Sequence, residues 1–309
     1  MKVLVISGFL GAGKTTFIKN LSMKTGKQFA ILENEYGAVG IDADLLKDAG
    51  MKNIWEMSSG CICCSKKGDF AASILTIANT IDPEFLIIEP SGVGKLSKVL
   101  SHIKKVEYER ISILSPLTIV DGESIDKYRY EFGEIYDDQI LSAGQVIISK
   151  LENSPSDVVQ RAVENIRNIN PNVDIVSNHY LTMGDDWWED ILLKLHDGTK
   201  LVEPKDEEDE SGFDSLALED VSISNPSRFI LLLEDIIRGC YGNIIRAKGS
   251  LALKGDVGLR FDLADTKYSV ITDDDVSSSN IVFIGKDIAK DRLKKIFIKK
   301  KRYKVVKNT

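Results

Sequence analysis

The chain has 309 residues, which is long enough for two domains, and its 43% hydrophobic and 28% charged residues are typical of a globular protein. A net charge of −7 argues against general nucleic-acid binding. The longest strongly apolar stretches, such as 229–233, are too short to span a bilayer. No export signal or framework of paired cysteines is evident, so the expected compartment is the reducing cytoplasm.

The first two thirds of the chain predict an α/β domain. Apolar runs alternate with helix-forming stretches, and runs that are apolar on both faces are typical of strands covered by helices on each side. The simplest fold is a doubly wound, mainly parallel sheet. Strands are predicted at residues 2–7, 28–33, 53–57, 84–89, 115–121, 145–150 and 173–177.

The last third predicts a smaller α+β domain. An acidic stretch, EPKDEEDESGFD at 203–214, cannot form a core and is interpreted as a linker. The predicted organisation is therefore a nucleotide-binding domain at 1–200, an acidic linker at 201–214 and a C-terminal domain at 215–309. Its predicted strands are 215–224, 243–255, 258–264 and 280–287, and its predicted helices are 227–239 and one carrying Leu293, Ile296 and Phe297 at core-like spacing.

A phosphate-binding motif lies directly after the first predicted strand. The stretch GFLGAGKTT, residues 8–16, satisfies GxxxxGK[ST] and opens a helix. Its glycines let successive backbone N–H groups surround an anion, at the positive end of the helix. We expect Lys14 to reach the β- and γ-phosphates and the Thr15 hydroxyl to bind Mg²⁺. The motif predicts a P-loop nucleoside triphosphatase.

Two predicted strands end in a carboxylate. FLIIEPSG places Glu89 at a strand end as the second Mg²⁺ anchor, and the N–H of Gly92 behind it can meet a γ-phosphate. LTIVDG offers Asp121 in the same way, and for Asp121 a structural role is equally compatible with the pattern.

Three of the four cysteines fall within four positions, in SSGCICC at 58–64. A closed structural zinc site normally needs four Cys or His ligands, and the only further cysteine is Cys240 in the other domain. Inert buried thiols and redox chemistry remain alternatives. The favoured interpretation is an open thiolate site, because two or three thiolates bind Zn²⁺ or Co²⁺ tightly while a vacant position lets the ion leave.

In order and spacing, GFLGAGKTT, ENEYGAVGID, SSGCICC and EPSG resemble the CobW family of P-loop GTPases, and RAKGSLAL and NIVFIGKD resemble its C-terminal domain. The resemblance covers nearly the whole chain. It implies a GTPase of the metal-delivery type, related to the accessory GTPases of urease and hydrogenase maturation.

The resemblance also assigns residues. The transition-metal ligands it implies are Cys61, Cys63, Cys64 and Glu35, and Asp42 shares the switch-like stretch with Glu35. Glu35 has two competing roles, positioning of the attacking water and metal ligation. The expected catalytic residues are Lys14, Glu35 and Glu89, and the expected Mg²⁺ ligands are Thr15 and Glu89. The expected nucleotide-binding residues are Gly11, Ala12, Gly13, Lys14, Thr15, Thr16, Gly92, Ser149, Lys150 and Glu152.

Three features depart from the family pattern. Ala38 replaces an acidic residue in the switch-like stretch, and SKLE at 149–152 replaces the guanine-reading Asn-Lys-x-Asp. Ser149 has no side-chain amide, whereas Glu152 can still accept hydrogen bonds from guanine, so GTP is favoured and ATP remains open. The chain also lacks a histidine-rich stretch. Its three histidines, each interpreted as a surface or packing residue, are His102, His179 and His196.

These features predict a slow, GTP-dependent metallochaperone that uses Mg²⁺ and GTP and delivers Zn²⁺ or Co²⁺ on hydrolysis. The expected partners are a client metalloenzyme or a cofactor-maturation protein, and a homodimer is compatible with the pattern. The alternatives are a nucleotide-gated docking switch, or a maturation factor for a corrinoid-dependent or other metalloenzyme, neither of which carries free metal.

Overall fold

The computed structural model describes residues 1–33, 53–56, 67–198, 213–223, 225–253, 258–273, 276 and 279–299. The chain divides into two compact units, Met1–Ser211 and Gly212–Thr309. No helix among the described residues is long and apolar enough to cross a membrane.

The first unit is built on a parallel sheet. Its strands follow the order β3-β2-β4-β1-β6-β7-β8, with β5 also paired to β1, and every pair is parallel. The strands are β1 (Lys2–Ser7), β2 (Phe29–Glu33), β3 (Asn53–Glu56), β4 (Phe85–Glu89), β5 (Ser112–Ile113), β6 (Leu117–Asp121), β7 (Gln145–Ser149) and β8 (Asp174–Val176).

Helices cover both faces of this sheet. They are α1 (Lys14–Thr25), α2 (Lys67–Thr80), α3 (Leu96–Lys104), α4 (Ile125–Leu141), α5 (Ser156–Ile169) and α6 (Asp185–Ile191), with a short 3₁₀ turn at Tyr180–Thr182. Alternate residues of β1 enter different cores. Leu4 packs in a core with Phe17 of α1 and Trp188 of α6, whereas Val3 packs in a core with Ile74 of α2. Because neighbouring strand residues point to opposite faces, this alternation confirms the doubly wound fold.

The second unit is α+β, as predicted. A five-stranded antiparallel sheet has the order β13-β12-β11-β14-β9, and β10 pairs with β15. The strands are β9 (Asp214–Glu219), β10 (Val221–Ser222), β11 (Asn243–Ala252), β12 (Gly258–Ala264), β13 (Lys267–Asp273), β14 (Asn280–Lys286) and β15 (Ile298–Lys299). The helices are α7 (Pro226–Ile237) and α8 (Lys290–Ile296).

The predicted core positions of the final helix are confirmed as buried or packed against the core, but Phe297 follows the end of α8 in extended backbone. Leu293 and Phe297 are buried in the core of the second unit, and Ile296 packs against that core. The sequence analysis did not predict β13. The single strand predicted at 215–224 is two strands, β9 and β10, because Asp220 between them adopts a left-handed φ of 52°, and the strand predicted at 243–255 ends at Ala252.

Candidate nucleotide site

The P-loop connects β1 to α1 through glycines with positive φ. Gly8 has φ 144° and Gly13, which precedes the first turn of α1, has φ 98°. A Cβ atom at Gly8 would lie 2.2 Å from the carbonyl oxygen of Ile119 on β6. Any larger residue would therefore push the loop away from the sheet, and glycine is required here for both conformation and space.

Three of the predicted phosphate and Mg²⁺ groups converge. The Thr15 Oγ1 lies 3.4 Å from Oε1 and 3.5 Å from Oε2 of Glu89. The Lys14 Nζ lies 4.0 Å from Glu89 Oε1 and donates to the carbonyl oxygens of Gly8 at 3.1 Å and Phe9 at 3.4 Å. A carboxylate, a hydroxyl and a buried ammonium thus meet where β1, β4 and α1 come together, which is the arrangement a nucleotide phosphate with a hard cation requires.

The other predicted P-loop residues lie in the same loop and first helical turn. Ala12 is fully buried, whereas Thr16 is exposed. Gly92 packs directly on the loop, since a Cβ added there would lie 2.8 Å from the backbone nitrogen of Leu10. The structure therefore brings the predicted γ-phosphate contact next to the P-loop.

A residue that the sequence analysis missed, Gln139 of α4, holds the loop around Gly92. Its Nε2 donates to the carbonyl oxygens of Gly92 at 3.1 Å and Gly94 at 2.9 Å. The neighbouring Asp138 accepts from the Ser97 backbone N–H and hydroxyl at the start of α3, and burial raises its pKa. No local pattern marks these two residues, because their partners lie about 40 residues earlier in the chain.

Phe9, inside the P-loop, is buried against a cluster of aromatic side chains on α4. Its ring centroid lies 4.7 Å from that of Tyr128, 5.0 Å from Phe132 and 6.0 Å from Tyr136. The backbone of α4 departs from helical geometry at Phe132, with φ −135°. These ring contacts anchor the P-loop on α4. Burial raises the pKa of the Tyr136 hydroxyl above its ordinary value.

The SKLE stretch begins at Ser149, the last residue of β7, and continues into the turn that follows. The Ser149 hydroxyl is buried and lies 2.7 Å from the carbonyl oxygen of Ala12, to which it donates. Lys150 adopts a left-handed φ of 64°, so it lies outside the strand in which it was predicted, and its Nζ lies 2.8 Å from Asp121 Oδ2. Glu152 Oε1 lies 3.0 Å from His179 Nε2.

The contacts of Asp121 separate it from Glu89. Besides Lys150, it accepts from the backbone N–H of Glu123. These contacts connect Asp121 to the turns after β6 and β7. Of the two strand-end carboxylates, it is Glu89 that lies beside Thr15.

The predicted transition-metal ligands lie outside the described residues. These are Glu35, Cys61, Cys63 and Cys64, and the same holds for Ala38 and Asp42. The described part of the chain contains no group of three or more His, Cys, Asp or Glu side chains that could hold a metal ion. Cys240 is an exposed free thiol.

Comparison with known proteins identifies the family. Residues 2–177 match the family described as CobW/HypB/UreG, nucleotide-binding domain. Residues 213–299 match the Cobalamin synthesis protein cobW C-terminal domain. The chain belongs to the CobW family.

Curated CobW-family relatives cover most of the chain. The "Zinc chaperone CobW" of Sinorhizobium sp is 27% identical over 289 residues, covering 81% of each chain. The "Zinc chaperone YjiA" of Escherichia coli (strain K12) is 25% identical over 323 residues, covering 96% of this chain and 97% of the relative. Among solved structures, the Zn(II)-bound YjiA GTPase from E. coli aligns with 96% of this chain and 97% of its own, with 18% identity and a TM-score of 0.47.

Proposed function

We propose that this CobW-family protein is a GTP-dependent metallochaperone that binds Zn²⁺ or Co²⁺ through Cys61, Cys63 and Cys64 and releases the ion to a client when GTP is hydrolysed. The observation that carries the proposal is the convergence of Lys14, Thr15 and Glu89 at a P-loop, in a chain with three cysteines within four positions. The names of the curated relatives support a metal cargo.

The phosphate-binding residues have distinct roles in this proposal. Lys14 exchanges the carbonyl oxygens of Gly8 and Phe9 for phosphate oxygens, because a buried ammonium gains more from a charged partner than from neutral ones. The backbone N–H groups of Gly11, Gly13, Thr15 and Thr16 surround the remaining phosphate oxygens, while the Ala12 N–H donates to the Phe9 carbonyl oxygen and closes the loop. Gly92 contributes its N–H from the opposite side of the γ-phosphate.

Thr15 and Glu89 fit Mg²⁺, since a hydroxyl and a carboxylate are the hard oxygen ligands that this ion prefers. When bound, Mg²⁺ supplies positive charge that offsets the negative charge on the β- and γ-phosphates.

Nucleotide and cargo are coupled through chain connectivity. The switch-like segment at 34–42 lies in sequence between α1, which follows the P-loop, and the CxCC stretch. If the γ-phosphate orders that segment, it also changes the surroundings of the thiolates. Glu35 then either ligates the cargo or positions the water that attacks the γ-phosphate, and a Glu35→Gln variant with normal turnover would exclude the second role.

The proposal is tested by titrating Zn²⁺ and Co²⁺ against a chelating competitor without nucleotide, with Mg-GDP and with Mg-GTPγS. Wild type is compared with the Cys63→Ser/Cys64→Ser double variant, and Cys240→Ser is the matched control because that thiol is exposed and lies in the second unit. We expect the tightest binding with Mg-GTPγS, its loss in the double variant, and no change in the control.

Metal binding that is weak, or equal under all three nucleotide conditions, would contradict the proposal. In that case, partner binding that depends on nucleotide and survives in the double variant would identify a docking switch instead.

A further inference from the structure

The carboxylate Oε1 of Glu152 lies 3.0 Å from the imidazole Nε2 of His179, within hydrogen-bonding distance. Glu152 follows the end of β7 by three residues, and His179 follows the end of β8 by three residues. Since β7 and β8 are adjacent and parallel, both side chains emerge from the carboxyl edge of the sheet, on which the P-loop also lies.

The stretch that carries Glu152 is connected to the P-loop. Ser149, which opens the stretch leading to Glu152, donates to the carbonyl oxygen of Ala12 in the P-loop. This hydrogen bond joins the turn after β7 to the phosphate-binding loop. Ligands of open α/β sheets bind outside the carboxyl ends of the strands, so the base of a nucleotide whose phosphates lie on the P-loop is expected near the turns that follow β7 and β8.

The position of His179 is fixed by the core beneath it. Its ring stacks on Tyr180 with a centroid distance of 4.9 Å and an interplanar angle of 28°. Tyr180 is buried and meets Phe17 of α1 edge-on at 5.2 Å. The carbonyl oxygen of His179 accepts from the backbone N–H and the hydroxyl of Thr182. Through Tyr180, the imidazole thus packs against α1, the helix that follows the P-loop.

We propose that His179 is a positioning residue for base selection, which holds the Glu152 carboxylate ready for a base that presents hydrogen-bond donors. A glutamate has one more rotatable bond than the aspartate that the family pattern carries here, so its carboxylate is less well placed. With its proton on Nε2, His179 donates to Oε1 and restricts that freedom. The remaining lone pairs of the carboxylate are left to accept from the base.

The bases selected follow from the donor pattern. Guanine presents N1–H and a 2-amino group to a carboxylate, and hypoxanthine presents N1–H alone. Adenine presents an acceptor at N1, and xanthine places a carbonyl oxygen at C2, so both are disfavoured beside a carboxylate. The inference rests on the proposed nucleotide site and predicts affinity in the order GDP, IDP, then ADP and XDP.

The test measures the dissociation constants of Mg-GDP, Mg-IDP, Mg-ADP and Mg-XDP by displacement of a fluorescent GDP. The variants are His179→Ala, His179→Gln, which keeps a side-chain N–H donor, and Glu152→Gln. Leu181→Ala is the matched control, because Leu181 is 42% exposed and lies in the same turn as Tyr180 and Thr182.

We expect His179→Ala to weaken GDP by about five- to tenfold, the range of one hydrogen bond, with ADP unchanged. His179→Gln is expected to recover most of the GDP affinity, and Leu181→Ala to match wild type. Glu152→Gln should favour XDP over GDP, because its amide can donate to the C2 carbonyl of xanthine.

Failure of wild type to bind any of the four nucleotides would overturn the nucleotide site itself, and wild type that binds ADP as tightly as GDP would overturn the selection of guanine. Normal GDP binding together with an unchanged GDP-to-ADP ratio in His179→Ala would overturn only the role of His179. The same holds if GDP and ADP weaken equally, if His179→Gln is no better than His179→Ala, or if Leu181→Ala reproduces the loss.

Discussion

At the phosphate end of the proposed nucleotide site the groups come mostly from one contiguous stretch, whereas at its proposed base end each side chain depends on a partner far along the chain. Residues 8–16 supply the loop, the lysine and the threonine. Ser149 instead contacts Ala12, 137 residues away, and Lys150 contacts Asp121, 29 residues away. A contiguous motif holds the phosphates of any nucleotide. Of the long-range contacts, the Ser149 hydrogen bond supports the P-loop, and in the inference above the Glu152–His179 contact selects the base.

Because the phosphate end contacts groups that all nucleotides share, substitutions there are expected to weaken the binding and turnover of every nucleotide alike. The largest expected effect is that of Lys14→Ala, which removes the buried ammonium beside Glu89. Loss of one preorganised positive charge should lower turnover by about 10²- to 10³-fold, with GTP and ATP equally affected. Steady-state phosphate release measures this effect.

Lys24→Ala is the control for that experiment, since Lys24 is an exposed lysine in the last turn of the same helix. A Lys14→Ala variant with near-normal turnover would mean that the P-loop contacts seen here are not used in catalysis.

Gly8→Ala is expected to have the second-largest effect, on stability. The added Cβ would overlap the Ile119 carbonyl oxygen at 2.2 Å, at a residue with φ 144°. Backbone overlap combined with a disfavoured φ should lower the free energy of unfolding by about 3 kcal/mol, as measured by denaturant titration.

Gly133→Ala provides the contrast, because a Cβ there meets nothing within 4 Å and the position lies inside α4. Equal stability of the two variants would contradict the close packing of Gly8 against the Ile119 carbonyl oxygen of β6.

Ser149→Ala should have the smallest effect and sharpens the comparison. It removes the hydroxyl that donates to the Ala12 carbonyl oxygen, which should cost about 1 kcal/mol of stability. Because Ser149 acts on the loop rather than on the base, GDP and ADP should weaken by the same few-fold factor in calorimetric titrations.

Ser101→Ala, which removes a hydroxyl donating within the last turns of α3, is the matched control and should bind both nucleotides as wild type does. A selective loss of GDP in Ser149→Ala would show that Ser149 contacts the base directly.

The phosphate end could be predicted from the sequence because its signals are local. The strand before the motif was predicted at 2–7 and is found at Lys2–Ser7. Thr15 and Glu89 were predicted as the two Mg²⁺ ligands, because Glu89 ends a buried strand, and the structure brings them together. The boundaries of the later strands in the first unit shifted by one or two residues. Lys150, for example, was predicted within a strand, but its positive φ turns the chain out of the sheet so that its ammonium reaches Asp121.

The base end could not be predicted in the same way. His179 was interpreted as a surface or packing residue, since no sequence pattern connects it to Glu152. The same limit applies to Gln139, whose amide contacts depend on how α4 packs beside the loop around Gly92. Such contacts are created by the packing of distant elements, and only the folded structure reveals them.

The central claim, that nucleotide and metal binding are coupled, is tested most directly by reciprocity. Affinity for Mg-GTPγS and for Mg-GDP would be measured with and without saturating Zn²⁺, in wild type and in Cys63→Ser/Cys64→Ser. We predict that Zn²⁺ tightens GTPγS binding in wild type by the same factor by which GTPγS tightens Zn²⁺ binding, at least about fivefold, and leaves GDP binding unchanged. An affinity for GTPγS that does not depend on Zn²⁺ would contradict the account.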